Sequence, residues 1–82
     1  MTARANPLPY HRDHLALIEE MIAVKEAAVA RQQEIIRGLL LEGGNVVAAT
    51  NALRKDAEAL RRLQSDRLAT LSLISEYAGQ RR

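Results

Sequence analysis

The sequence contains no cysteine, phenylalanine or tryptophan, and its only aromatic side chains are Tyr10 and Tyr77. Without cysteine, the chain can form neither a disulfide framework nor a thiolate metal site, which is consistent with a reducing compartment. Its 82 residues allow one domain at most. The composition is dominated by Ala, Leu, Ile, Val, Glu and Arg, which are all compatible with helix and several of which favour it strongly. A single small helical domain is therefore expected.

Long apolar runs are also missing. The N-terminal stretch "MTARANPLPYHRDH" has no hydrophobic segment of the kind found in signal peptides. No part of the chain approaches the roughly 18 apolar residues of a membrane span. The net charge of +2 is too small to indicate a nucleic-acid partner by itself. We therefore expect a cytoplasmic protein without membrane contact.

Proline and glycine are scarce, and they bracket two long helical patterns. Pro7 and Pro9 limit helix to their C-terminal side because proline lacks an N–H and restricts the preceding residue. Gly43 or Gly44 can end a helix in the left-handed conformation, and Asn45 is a good N-cap for the next one. These signals predict a flexible arm over residues 1–9, helices over about 10–42 and 46–78, a turn at 43–45 and a basic tail at 80–82.

Apolar residues recur with the helical period in both segments. The first stripe is predicted to contain Leu17, Met21, Val24, Ala28, Ile35 and Leu39, widened by Ile18, Ile22, Val29 and Ile36. The second contains Val46, Ala49, Leu53, Ala57, Leu60, Leu63, Leu71, Ile74 and Ala78. A turn of two or three residues makes the helices antiparallel neighbours. The predicted fold is an all-α, antiparallel two-helix hairpin over residues 10–79. A turn centred near Gly44 predicts three cross-helix pairs: Glu34 with Arg54, Arg31 with Asp56, and Tyr10 with Tyr77.

Both stripes are wider than the seam of a single hairpin, so some apolar side chains, Leu15 among them, remain uncovered. A large uncovered apolar surface usually marks a partner. A homodimer forming a four-helix bundle is the simplest closure; the alternatives are a monomer covered by its arm and tail, or a face held open for a different protein. The candidate partner-binding residues are Tyr10, Ile18, Ile22, Ile36, Leu40, Val47, Leu68, Ile74 and Tyr77.

The sequence offers no set of residues with the spacing of a reaction centre. "EGGNVV" follows a helix and contains no lysine, so it does not match a phosphate-binding loop. His11 and His14 share a helical face, but a metal needs three or four ligands. The carboxylates accompany no pocket-forming loop and no nucleophile beside a base. We predict no catalytic, cofactor-binding or metal-binding residue, no cofactor and no enzymatic activity.

Two alternatives to a protein-binding role stay open: a structural or assembly role as a helical dimer, and a small regulator that contacts nucleic acid through the basic residues of the second helix. The candidate contacts are Arg54, Lys55, Arg61 and Arg62, with Arg81 and Arg82 in the tail. Against the nucleic-acid alternative, Arg54, Glu58, Arg62 and Asp66 form an i,i+4 series of alternating sign that neutralises the patch. No aromatic side chain lies among them to stack on bases.

The segment from Ala30 to Leu71 resembles short helical-hairpin proteins of rhizobia and related alphaproteobacteria. The resemblance lies in an Arg-Gln-x-x-Ile-Ile run, a glycine-containing turn and a Leu-rich helix ending in Asp-Arg-Leu. Here these elements are Arg31, Gln32, Ile35, Ile36, Gly43, Gly44, Asp66, Arg67 and Leu68. In size and helical character the chain is also similar to small antiactivators, which restrain quorum-sensing or transfer regulators of mobile elements. That resemblance implies a protein that binds and inhibits a transcriptional activator.

Overall fold

The computed structural model describes residues 7–79 of the chain. Within this range the chain forms two α-helices, α1 (Leu8–Leu41) and α2 (Val47–Gly79), which pack against each other along their length. The predicted all-α helical hairpin is confirmed. Residues 1–6 of the predicted arm and the predicted tail at 80–82 lie outside the described residues. Neither helix is long and apolar enough to cross a membrane.

Helix α1 begins two residues earlier than the prolines predict. The Pro7 carbonyl accepts a hydrogen bond from the His11 backbone N–H at 2.9 Å, so Pro7 is the N-cap and Pro9 lies in the first turn. The first N–H groups of a helix have no partner within it, so a proline there costs no hydrogen bond. The prediction that α1 starts near residue 10 is wrong by this first half-turn.

The turn between the helices is closed by two glycines and an asparagine, as predicted. Gly43 has a φ of 72°, in the left-handed region where glycine is favoured. The Gly44 N–H donates to the Leu39 carbonyl at 2.7 Å, and the Gly43 N–H donates to the Leu40 carbonyl at 3.3 Å. These are the two bonds of a Schellman motif. The Asn45 Oδ1 then accepts a hydrogen bond from the Val47 N–H at 2.9 Å and caps the start of α2.

The helices contact each other along a heptad seam. Its positions are buried or half-buried, and the spacing between successive positions alternates between three and four residues. In α1 the seam contains Leu8, His11, Leu15, Ile18, Ile22, Lys25, Val29, Gln32, Ile36 and Leu39. In α2 and the residue before it, the seam contains Val46, Ala49, Leu53, Asp56, Leu60, Leu63, Arg67, Thr70, Ile74 and Tyr77. The described chain is therefore an antiparallel coiled-coil hairpin.

This seam buries little. Among the described residues only Leu8, Ile18, Ala49 and Thr70 are buried, and no large side chain is fully enclosed. The shorter dimensions of the hairpin are 19 and 14 Å, which correspond to one layer of two helices. Both broad sides of this layer therefore lack a covering element among the described residues.

The predicted composition of the α1 stripe is reversed. The periodicity predicts Leu17 at the centre of the buried stripe and Ile18 at its uncovered edge, but Leu17 is 53% exposed and Ile18 only 3% exposed. The physical reason is that α1 carries two heptad-spaced apolar stripes, roughly 100° apart around the helix. Helix α2 covers one of them. The other, which includes Met21 and Val24, stays exposed.

Candidate partner-binding face

The second stripe of α1 has the same heptad spacing as the seam but no partner helix. Its members, at alternating steps of four and three, are Tyr10, His14, Leu17, Met21, Val24, Ala28, Arg31 and Ile35. Met21 and Ile35 are 45% and 43% exposed, and Val24 is 67% exposed. Several large apolar side chains exposed along one row are unusual for a folded monomer.

Two shallow grooves show how the sides of the hairpin differ. One groove is lined by polar side chains of both helices, including Glu19 and Gln64, and here the Arg67 Nε donates to the Glu19 Oε2 at 3.2 Å. The other groove, on the opposite side of the seam, includes Met21, Val24 and Leu63. The second stripe of α1 therefore lies on the less polar side of the hairpin.

Helix α2 completes this side with smaller residues. The α2 positions on the same side of the seam are Ala52, Ala59, Asp66 and Leu73. We call the α1 stripe and these four α2 positions together the open face. Large side chains occupy its α1 half, and two of the four α2 positions are alanines. Three polar side chains interrupt it: His14, Arg31 and Asp66.

Charges of opposite sign border the open face. Asp13, Glu20 and Glu34 lie along the outer edge of α1, and we call this row the acidic edge. The row has heptad spacing, with Ala27 at the position between Glu20 and Glu34. Along α2, one heptad apart, lie Lys55 and Arg62, which we call the basic edge; the same row ends beyond it at the acidic Glu76. All five side chains of the two edges are exposed. Among the described residues, Glu34 alone of the five forms an ion pair, with the neighbouring Arg37 at 2.7 Å.

The predicted partner-binding residues divide into two groups. Ile18, Ile22, Ile36, Ile74 and Tyr77 are seam residues, and the expectation that Ile18 is uncovered is wrong. Leu15, expected to stay partly exposed, is half-buried in the seam. Tyr10, Leu40, Val47 and Leu68 are 62% to 66% exposed, but only Tyr10 belongs to the open face. The prediction misses Leu17, Met21, Val24 and Ile35. Their own four–three spacing is the sequence signal that identifies them.

At the end of the hairpin opposite the turn, the predicted Tyr10–Tyr77 pair is replaced by a contact between His11 and Tyr77. The His11 ring stacks on Tyr77 with 5.4 Å between centroids, whereas Tyr10 stacks on His14 at 6.2 Å. No ring contact joins Tyr10 to Tyr77 within residues 7–79. The reason is that Tyr77 is a seam residue and Tyr10 belongs to the second stripe, so they project from the hairpin in different directions.

The two predicted cross-helix ion pairs are also wrong. Asp56 accepts from Lys25 at 3.2 Å instead of from Arg31. The Arg54 guanidinium donates to the side chain of Asn51 instead of to Glu34. The matched heptads place the helices about three residues away from the predicted register, which brings other charged residues to the same level.

The four basic residues of the nucleic-acid alternative do not form one surface. Lys55 and Arg62 border the open face, whereas Arg54 and Arg61 lie on the outer side of α2, and all four are exposed. No ion pair of the predicted i,i+4 series occurs in the described part of the chain. Over the same part, no group of three or more His, Asp or Glu side chains is placed to hold a metal ion.

Comparison of the chain with protein-family models, with curated proteins and with solved structures found no match. The helix packing itself defines the class of the fold, an antiparallel coiled-coil hairpin.

Proposed function

We propose that this protein is a non-enzymatic protein–protein interaction module that binds helices of a partner through its open face. The observation that carries the proposal is the exposed heptad stripe of α1. A helix that carries apolar residues at this spacing is built to pack against another helix along its length. Within the hairpin, α2 packs against the seam stripe of α1 only, and no described helix packs against the exposed stripe.

The exposure of individual side chains supports the same conclusion. Leu17, Met21, Val24 and Ile35 all belong to the open face and are 43% to 67% exposed. Large apolar side chains that stay together in water usually mark a contact surface. Leu17 and Val24 lie where helix packing would bury them.

Site-specific photo-crosslinking in the living cell tests the proposal. A photoreactive residue replaces Val24, on the open face, or Leu68, which is equally exposed (67% and 65%) but lies elsewhere. We expect discrete adducts from position 24 and few from position 68. The mass of the adduct also shows whether the partner is a second copy of the chain. Equal yields from both positions, or none from either, would refute the proposal.

For a partner other than a second copy, we further propose a transcriptional activator that the protein inhibits. The support is the resemblance of Ala30–Leu71 to helical hairpins of rhizobia and the similarity to small antiactivators. The test is a reporter driven by each candidate activator of the source cell. Repression should be lost in Val24→Glu and kept in Leu68→Glu. Repression of no activator, or repression that both variants retain, would contradict this role.

A further inference from the structure

We infer that the open face is occupied by a second copy of this chain, with α1 of each protomer packed against α2 of the other. This inference rests on the proposed function, because it names the occupant of the same face. Two features of the face favour self-association in this arrangement: the signs of its two edges and the sizes of its side chains.

The charged edges select one of two symmetric arrangements. If the two-fold axis were perpendicular to the helix axes and lay between the two open faces, α1 would face α1 of its partner. Glu20 would then lie close to the partner's acidic edge. With the axis parallel to the helices, α1 faces α2 of the partner. Glu20 then lies about one turn from the level of the partner's Arg62, within reach of a long arginine side chain. Opposite charges across a contact favour association and like charges oppose it, so the parallel axis is selected.

Side-chain size fits the same arrangement. A two-fold axis parallel to the helices leaves each residue at the same height along the bundle in both protomers. The register of the seam therefore shows which residues of α1 and of the partner's α2 lie at the same height. Ile35 of one protomer then lies near the partner's Ala52, and Ala28 lies near the partner's Ala59. The large Ile35 thus meets a small residue, and the Ala28–Ala59 contact lets the helices approach closely, as in cores where large and small residues interdigitate. This fit belongs to the half of the face nearer the turn, because Met21 lies near the partner's Asp66. Two α1 stripes facing each other would instead oppose large side chains to one another at the centre.

Helix direction is also satisfied. In this dimer α1 lies beside α2 of its own chain and faces α2 of the partner, so every adjacent pair of helices is antiparallel. Antiparallel neighbours oppose their dipoles favourably, and the up-down-up-down bundle is a common helical architecture. Both turns lie at the same end. The product is a closed four-helix bundle with two-fold symmetry.

Reversing one edge at a time tests the arrangement. The acidic-edge variant is Glu20→Lys/Glu34→Lys, and the basic-edge variant is Lys55→Glu/Arg62→Glu. Each variant alone would place like charges against each other at both symmetric contacts. We expect each to self-associate at least about tenfold more weakly than the unmodified chain, measured by light scattering after gel filtration over a range of concentrations.

Mixing provides the rescue. Equal amounts of the two variants should form a dimer near twice the 9.1 kDa chain mass, because every reversed edge then faces one of opposite sign. Rescue also shows that both variants fold. The matched control is Arg54→Glu/Arg61→Glu, which makes the same charge change on the outer side of α2 and should leave association unchanged.

Three results would overturn the inference: an unmodified chain that is monomeric up to about 1 mM, an acidic-edge variant that dimerises normally, or a mixture that stays monomeric. These results leave the proposed function separately testable. If the chain is monomeric but position 24 cross-links to a different protein, the inference fails and the interaction module stands. If it is monomeric and position 24 yields no adduct, both fail.

Discussion

The Lys25 ammonium lies 3.2 Å from the Asp56 carboxylate, linking residues 31 positions apart across the hairpin. Each occupies a seam position that would hold an apolar side chain in a stronger coiled coil. Their side chains are 38% and 21% exposed, so the pair is only partly shielded from water. It helps to determine which seam positions meet, and it also leaves the hairpin with a thinner apolar contact.

We predict that Asp56→Ala lowers the free energy of unfolding by about 1 kcal/mol, because Lys25 is left in the seam without its acceptor. The exposed pair Glu34–Arg37 provides the control, since Arg37→Ala should change stability by less than about 0.5 kcal/mol. Urea unfolding at fixed protein concentration measures both. Equal effects of the two substitutions would contradict a structural role for the cross-helix pair.

The double variant Lys25→Leu/Asp56→Leu should be more stable than the unmodified chain, by about 1 kcal/mol or more. Replacing a partly buried ion pair with apolar residues of similar volume often stabilises a protein, and here it would extend the seam. The same urea experiment measures the gain. A double variant less stable than the unmodified chain would show that the ion pair contributes more than two leucines at these seam positions.

Ile18→Ala should destabilise the hairpin by about 2 kcal/mol or more, because Ile18 is 3% exposed and its removal leaves a cavity in the seam. Leu68→Ala, at a position 65% exposed, is the matched control and should cost less than about 0.5 kcal/mol. Thermal and urea unfolding followed by circular dichroism measure the difference. Similar costs would contradict the assignment of Ile18 to the seam.

The glycines of the turn and of α1 should respond in opposite directions to alanine. Gly43→Ala should cost about 1 kcal/mol because its φ is 72°. Gly44→Ala should also destabilise, since its Cβ would lie 3.0 Å from the Leu39 Cδ2. Gly38 is helical with no atom near its Cβ position, so Gly38→Ala should stabilise by about 0.5–1 kcal/mol. Urea unfolding checks all three, and a gain at Gly43 would contradict the turn geometry.

Nucleic-acid binding offers a further check on the proposed function. The basic residues of α2 point in two directions, and Lys55 and Arg62 are assigned to the edge of a protein interface. We therefore expect no measurable binding to random duplex DNA or RNA at low salt, where phosphate contacts are strongest. Fluorescence anisotropy measures it. Binding that weakens steeply with salt and is lost in Arg54→Glu/Arg61→Glu would favour the nucleic-acid alternative instead.

The hairpin could be predicted because its signals are local. Gly43 needs its left-handed conformation, Asn45 caps the following helix, and the apolar period continues on both sides of the turn. The end of α1 depends on these short-range features, and its predicted and observed limits differ by one residue. The start of α1 is less certain from sequence, because Pro9 fits both before a helix and inside its first turn.

Local sequence signals could not predict which of the two apolar stripes of α1 packs against α2. Leu17 and Ile18 are adjacent and similarly apolar, and each belongs to a complete heptad series. Which series packs against α2 depends on the turn and on the single stripe of α2, which are properties of the pair of helices. The cross-helix partners of Glu34, Arg54 and Asp56 depend on the same choice, so their predicted contacts failed with it.

The most direct test of the open face compares Val24→Glu with Leu68→Glu by light scattering after gel filtration, across a range of protein concentrations. The two positions are nearly equally exposed, and neither lies in the seam. The unmodified chain and Leu68→Glu should have about twice the 9.1 kDa chain mass, whereas Val24→Glu should have the mass of a single chain. If Val24→Glu associates as strongly as Leu68→Glu, the exposed stripe of α1 is not the contact surface.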